Sequence, residues 1–599
     1  MKLCSAARKI KLEILGDENM SFRLNKEVKK KTGRVYLTIQ KSYRDENGKP
    51  RNKHIKSIGY VDVLEKEYAD PIAHFEEVVR NMKEEQAQSK SVMIKLNTEV
   101  RLDENTPGAQ NYGHVIFSKI YHELEIDRFL NNKRRHANYK FNLEKIARLL
   151  IFSRILYPGS ILYTQKELQN KYFDNFRCSI DHMYSSLDEF DRYSVELQQH
   201  LHENIVKQYG RVTDLIYYDV TNYYFEIDKE DDLRKRGACK EKRQDPIVQM
   251  GLAVDSNAIP ISYQIYPGNT HDSETYIPQM AALKKKFNAK RIVVVADKGL
   301  NCGDNIAFNL ALGDGYIFSQ SIRGGSKEMK EWVLKQSSYK ETGDLRKKSR
   351  TIPVNINVTV KQEGKKKKKK KVLIDQKQIA FFSQKYAERS KHKRNELLAK
   401  AAALINDTSK YDRAIHYGAA GYIKNIKFDK KTGEIIETDE VLSLDMDKVR
   451  EEEKYDGYYL IVTSELDMPD DKVIETYHGL WQIEESFKIT KSTLDTRPIF
   501  LRTPEHINAH FLICFISILI LRLVEYRIKC KYRAARIVES LRQVTCSHIE
   551  ENWYLFNYFD EVVKHLETVF GIEMTKKYQT LGEIRSNLAS AKKFEICKN

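Results

Sequence analysis

Apolar residues return along this chain at two different spacings. Between about 112 and 212 they recur every three or four positions, in IFSKIYHELEI, FNLEKIARLLIFSRIL and SVELQQHLHENIVKQY, which predicts helices around a common core, punctuated by YPGS at 157–160. From 214 the texture changes. DLIYYDVTNYYFE (214–226), PIVQMGLAVD (246–255) and IPISYQIYPGN (259–269) predict three adjacent strands, ETYIPQMAALKKKF (274–287) a helix, RIVVVAD (291–297) a buried fourth strand and YIFSQ (316–320) a fifth. GYYLIVTS (457–464) resumes strand character and leads into a helix at YHGLWQIEESFKITKS (477–492). Upstream of all this, residues 34–62 hold two strand-like runs joined by DENGKP, a basic β-hairpin, followed by a charged helical stretch to about residue 100.

Three meandering strands, a helix, a strand, a helical connection and a fifth strand follow the order of an RNase-H-like α/β sheet. The expected fold class is therefore α/β, an RNase-H-like catalytic domain interrupted by a β-rich insertion, with helical N-terminal DNA-binding and C-terminal helical regions. The expected boundaries are 1–100 for the basic hairpin and helix region, 112–212 for the helical DNA-binding region, and 213–322 for the first part of the core. The insertion takes 323–455, the second part of the core 456–525, and the C-terminal helices 526–599. The insertion holds the β-type runs TIPVNINVTV and QIAFFSQKYA, the charged helix ERSKHKRNELLAKAAALI, and a seven-lysine tract at Lys365–Lys371. That tract reads as a solvated loop, with a nonspecific phosphate-binding finger as its alternative.

Charge and length narrow the classes. At 599 residues the chain exceeds a single core, and 102 Lys and Arg against 84 Asp and Glu give a net charge of +18, which favours a polyanionic partner, nucleic acid before anionic membrane. Eight scattered cysteines show neither C-x-x-C nor zinc spacing, as in a reduced, cytosolic protein. The N-terminus has charges where an export signal needs an apolar stretch. The most apolar run, FLICFISILIL, has 11 residues, too few to span a bilayer, and is expected as a buried core helix with no membrane partner.

The helix at 477–492 carries the chemistry. Turning about 100° per residue from Glu484 places Tyr477 at about +20°, Leu480 at about −40°, Trp481 at about +60°, Lys488 at about +40° and Lys491 at about −20°. Ile483 and Phe487, with Leu494, mark the buried line on one flank. Glu484 is thus expected at the core edge beside cations and aromatics, and Glu485 in water. A plain Glu484–Lys488 ion pair is the bland alternative. Two more acids lie on strands: Asp219 in YYDVTN and Asp297 at the end of VVADKG's strand, where open α/β sheets collect ligands. An unpaired carboxylate in an apolar setting is costly, so the two are either turn and cap residues or a site. With Glu484 they form a three-carboxylate set that needs cations among it, and oxygen donors suit Mg²⁺. Lys488 and Lys491 would then meet phosphate oxygens, and Tyr477 and Trp481 would bond to or stack on nucleotides, Trp481 having a core role as its alternative. Arg243 and Asp245 either orient that site or form a strand-edge ion pair. His271 and Asp272 read as turn and cap residues, and His506 and His510 lack a third metal ligand.

Asp219, Asp297 and Glu484, with Tyr477, Glu484 and Lys491 in the order Y-(2)-x-(3)-E-(6)-K, resemble the DDE transposases of bacterial insertion sequences, in the group whose RNase-H-like domain carries a β-rich insertion. The resemblance takes in RGACKEKRQDPIVQMGL, PGNTHDSET and EEEKYDGYYLIVTSE, and covers roughly 110–525. One position departs: Leu480 stands where the family often has arginine, which removes one phosphate contact that Lys488 could replace. The resemblance implies Mg²⁺, with Mn²⁺ able to substitute, as cofactor, and double-stranded DNA (terminal inverted repeats and target) as partner. It also implies a homodimer in the DNA complex and a cytoplasmic, nucleoid-associated location. It implies cut-and-paste movement through metal-dependent phosphodiester transfer. The alternatives are a stand-alone RNase-H-like nuclease and a catalytically inactive DNA-binding descendant.

Overall fold

Strand β1 (Ser21–Val28) pairs antiparallel with β2 (Val35–Arg44), and β2 with β3 (Pro50–Tyr60), in the computed structural model of the chain. The structure describes residues 21–593 apart from 31, 45–49, 89–98, 100, 102–107, 136, 175, 240–242, 288–290, 343–344, 361–367, 409–410, 412, 429–434 and 437–440. It falls into two compact units, Met1–Arg101 and Leu102–Asn599. In the first, the expected hairpin gains a third strand, and residues 45–49 of its turn lie outside the described residues. Helices α1 (Val61–Leu64) and α2 (Pro71–Gln88) close one face of this sheet, over the buried Leu37 and Ile39. Lys26, the register partner of Leu37, reaches Glu76 of α2 at 2.8 Å, and Gly59, also opposite Leu37, lies beneath Leu64 of α1.

The second unit starts with helices α3 (Val115–Glu123), α4 (Ile126–Arg135), α5 (Leu143–Leu156) and α6 (Ile180–Tyr209). Ser179 caps α6 by accepting from the His182 N–H, and Gly210 ends it in the left-handed conformation (φ 62°) that glycine adopts without strain. The sheet follows: β4 (Leu215–Tyr224), β5 (Ile247–Asp255) and β6 (Pro260–Pro267), helix α7 (Asp272–Phe287), β7 (Val293–Ala296), α8 (Gly303–Ala311), and β8 (Gly315–Ser319). Next come β9 (Lys340–Thr342), β10 (Leu345–Val360), β11 (Lys368–Ser383), helix α9 (Gln384–Asn406) and β12 (Tyr458–Thr463). The nine strands form one mixed sheet in the order β9-β10-β11-β12-β8-β7-β4-β5-β6. Alternation along β4 divides the core in two. Tyr217 and Tyr223 pack with the helices on one face, and Ile216, Tyr218 and Val220 pack with α7 and α8 on the other.

Three sequence expectations change here. The segment 323–455 does more than interrupt the sheet: β10 and β11 pair over sixteen residues each, and β11 extends the sheet by pairing with β12. Lys368–Lys371 are strand, opposite Val360–Asn357, and Lys365–Lys367 lie outside the described residues. The alternating partner strand supplies ladder hydrogen bonds while the lysine side chains stay in water, which a loop reading of like charges misses. The region 526–599 is not purely helical, because Thr545–Glu550, Trp553–Phe556 and Tyr578–Thr580 form a small sheet with Gln110–Asn111.

The apolar run lies in α12 (Pro504–Arg527), 24 residues and therefore long and apolar enough to cross a membrane, against the 11 read from sequence. It is a core helix: 94% of its apolar window is buried inside the protein, among α3, α5, α6 and β6.

Candidate active site

Strands β4 and β7 run parallel with Leu215 opposite Val293 and Tyr217 opposite Val295. Continuing that register puts Asp219 level with Asp297, the first residue past β7, on neighbouring strands about 4.8 Å apart. Asp219 alternates in step with Tyr217 and Tyr223, and Asp297 with Val293 and Val295, and all four of those apolar neighbours belong to the helical core. Both carboxylates therefore sit on the same face of the sheet. Asp297 is exposed and Asp219 half-buried.

That face is covered by α10 (Asp470–His478) and α11 (Trp481–Lys488), followed by a wide turn over Ile489–Thr493 whose Leu494 N–H reaches back five residues to Ile489 O (2.9 Å). The single helix expected over 477–492 is thus broken at Gly479–Leu480 and widened after Lys488. The cause is β4. Tyr217 OH donates to Thr476 O at 3.0 Å and lies so near Gly479 that a Cβ there would come within 2.1 Å of the phenol oxygen. Farther along β4, Tyr223 and Thr490 share a hydroxyl hydrogen bond of 2.7 Å. Asp219, between the two tyrosines and on their face, is held opposite α11.

Glu484 lies on α11 and is exposed, whereas Glu485 is half-buried, the reverse of the sequence expectation. Helix α12 is the reason. Its Arg522 donates to Gln482 O (3.2 Å) and to Ser486 Oγ (2.9 Å), so the buried arc of α11 runs past Ile483 and Phe487 to the side where Glu485 begins. One-sided periodicity does not register a second covering element.

Asp297 Oδ1 accepts from Ser319 Oγ at 2.7 Å, at the end of β8, and from Tyr477 OH at 3.4 Å. Tyr477, expected to touch nucleotides, is instead buried, and burial followed by the Asp297 charge raises its phenol pKa, keeping it a donor. Sequence reasoning passed over Ser319 and also Tyr459 of β12. Burial first, then Tyr386, and further the Asp297 and Glu484 carboxylates raise the Tyr459 pKa, so one phenol senses both acids. The sequence signal was the end of a strand for Ser319 and the EEEKYDGYYLIVTSE motif for Tyr459.

Trp481 is 47% exposed, with the Arg533 guanidinium 5.6 Å from its ring centre. Lys488 is exposed, and Lys491, turned by the widened helix, holds its ammonium 5.4 Å from the Tyr223 ring centre. Leu480 is buried at the corner. Arg243 stacks on Tyr224 at 4.0 Å and pairs loosely with Asp245 (3.6 Å), the strand-edge arrangement. His271 accepts from the Ser273 N–H at the start of α7, His506 bonds Asp188, and His510 bonds Thr496 O. The candidate metal donors are all carboxylate oxygens, the type that hard divalent cations take. Among the described residues no three His, Cys, Asp or Glu side chains are gathered closely enough to hold an ion, so the expected cluster is not preassembled. Carboxylates repel one another without a cation between them.

Comparison with known families defines the class. Residues 221–520 match the Transposase DDE domain, half the chain, and the chain belongs to the DDE transposases. Asp297 and Glu484 fall inside the match, and Asp219 lies two residues before it. The N-terminal unit narrows the assignment: residues 24–92 match the IS1634 family transposase, N-terminal domain, so the protein is a transposase of an insertion sequence. No curated protein matches. Among solved structures, a piggyBac transposase synaptic complex with hairpin DNA is similar at 10% identity and TM-score 0.31, covering 83% of this chain and 88% of that one.

Proposed function

We propose that this transposase hydrolyses a phosphodiester at each end of its element and then drives the freed 3′-hydroxyl into target DNA, with Asp219, Asp297 and Glu484 as its catalytic carboxylates. The sheet is read as RNase-H-like with a β-rich insertion. The observation that carries the proposal is the β4/β7 register, which sets Asp219 and Asp297 level on one face, opposite the helix that bears Glu484. These three residues would hold divalent Mg²⁺, for which Mn²⁺ can substitute, and a bound cation supplies Lewis acidity to a phosphodiester and lowers the pKa of water.

The chain's own groups do the rest. Tyr477 and Ser319 fix Asp297 through its Oδ1, and the carboxylate so oriented would be one of the groups holding the cation. Lys488 and Lys491 neutralise phosphate oxygens, Arg243 contacts the DNA backbone beyond them, and exposed Trp481 stacks on an unpaired base. The substrate is double-stranded DNA, two terminal inverted repeats and a target, held by a homodimer in the bacterial cytoplasm at the nucleoid.

A supercoiled plasmid carrying the element's ends, incubated with Mg²⁺, provides the test. Asp219→Asn, Asp297→Asn and Glu484→Gln should each abolish nicking while keeping end binding in EDTA, and Glu485→Gln should stay active. Nicking by Glu484→Gln, or its loss in Glu485→Gln, overturns the assignment. Joined strand-transfer products separate a transposase from a nuclease of the same fold.

A further inference from the structure

Alternation gives the N-terminal sheet two faces of opposite character. One lies under α1 and α2. On the other, register sets Arg23 opposite Gln40, Asn25 opposite Thr38, Gln40 opposite His54 and Ser42 opposite Asn52. The side chains are tied laterally: Arg23 Nη2 donates to Gln40 Oε1 (3.3 Å), Asn25 Nδ2 to Thr38 Oγ1 (3.4 Å), and Ser42 and Asn52 share a bond of 3.0 Å. Guanidinium, carboxamide and hydroxyl groups are the ones that pair with base edges in the major groove. Among the described residues of this face the carboxylate is Glu27, which Lys29 neutralises at 2.8 Å.

Charge divides by segment and not by face, since Lys41, Arg51, Lys53 and Lys56 alternate to the helix side of the strands. Residues 21–60 hold twelve Lys and Arg against three Asp and Glu, whereas residues 61–88, which include both helices, hold three against eight. A polyanion is attracted to the strands and repelled by the helices. Size agrees too: three strands about 4.8 Å apart span about 10 Å, against a major groove about 12 Å wide.

We propose that this unit reads DNA sequence by laying its open sheet face in the major groove, with Arg23, Gln40 and Asn52 on base edges, and with Arg51 and Lys53, which alternate to the helix side of the outer strand β3, reaching round its edge to phosphates. This places end recognition outside the helical 112–212 region where sequence alone puts it. It rests on the proposed action at element ends but not on the three carboxylates.

The test uses the full chain in EDTA with a pool of duplexes carrying randomised centres. Wild type should enrich one sequence. Arg23→Ala, Gln40→Ala and Asn52→Ala should each relax one or two neighbouring positions and weaken binding to that duplex by about 5- to 150-fold, while affinity for mixed-sequence DNA is kept. Gln40→Met retains side-chain length and must lose the same preference, which guards against a folding defect. Arg51→Ala should weaken every duplex alike and reduce the salt slope by about one. Enrichment of the same sequence at unchanged affinity by the base-edge variants, no enrichment by wild type, or tighter binding to double-stranded RNA each overturns the proposal. Because EDTA silences catalysis, such a failure leaves the carboxylate assignment standing, and an active Asp297→Asn would leave this one standing.

Discussion

Tyr477 shows how a side chain chosen for one role can serve another. Its hydroxyl, buried and kept protonated, points at Asp297 and not at solvent. A hydrogen bond to a charged group contributes about 1.5 to 3 kcal/mol, so Tyr477→Phe should slow nicking by roughly 10- to 100-fold, with melting temperature and end binding little changed. An unaltered nicking rate would mean that Ser319 alone orients the carboxylate. Trp481 gives the opposite case. Being 47% exposed, it should cost less than about 1 kcal/mol of stability when cut to alanine, not the roughly 3 to 5 kcal/mol of a core tryptophan. Trp481→Ala should instead lose binding to ends opened by a mismatch at the cut, and paired melting and binding curves on that variant decide between the two roles.

The corner between α10 and α11 was not legible in the sequence around it. YHGLWQIEESFKITKS has no proline, and its helical period runs through the glycine without a pause. The break is imposed by Tyr217, on a strand some 260 residues earlier, whose hydroxyl takes the Thr476 carbonyl and fills the space beside Gly479. Gly479→Ala should therefore destabilise by about 1 to 3 kcal/mol through overpacking and lower nicking by shifting Glu484. Adding Tyr217→Phe should return part of the stability, since it removes the nearest clashing atom. Thermal melts of the single and double variants measure this, and no recovery would place the strain elsewhere. The same logic covers β10 and β11. Their residues read correctly as β-type, but which sheet they would join depended on the open edge of β12.

Across the molecule, burial sets how stability responds to acid. His114 and His202 have pKa values lowered to about 4 and His510 to about 3, all by burial, with Arg211 adding to it at His202 and Arg154 at His510. Each takes up a proton when unfolded at about 6.5 but not when folded, so the unfolded state binds more protons below that pH. The stabilisation is complete above about 6.5 and is lost as pH falls towards 4, by about 1 to 1.5 kcal/mol per histidine at about pH 5.5. Denaturant midpoints should fall steadily over that interval, and a flat profile would show that these imidazoles take up protons equally in the folded and unfolded states. The core helix α12 follows from burial as well: its length and composition suit a bilayer, and only the helices and sheet packed around it make it an interior element.

Several features were legible in the chain alone. The strands of 214–226, 246–255 and 259–269, the buried run before Asp297, and the acid-bearing motifs that resemble DDE transposases each lie within one short stretch, where side-chain alternation and local spacing carry the information. The rest required distant segments to meet. The level pairing of Asp219 with Asp297 comes from the register of two strands, the exchange of Glu484 and Glu485 between water and partial burial from Arg522, and the hold on Asp297 from Tyr477 and Ser319. Periodicity tells a helix or strand which face is apolar. It does not tell the chain which other element will cover that face or bond to it, because those choices are made between residues far apart in sequence.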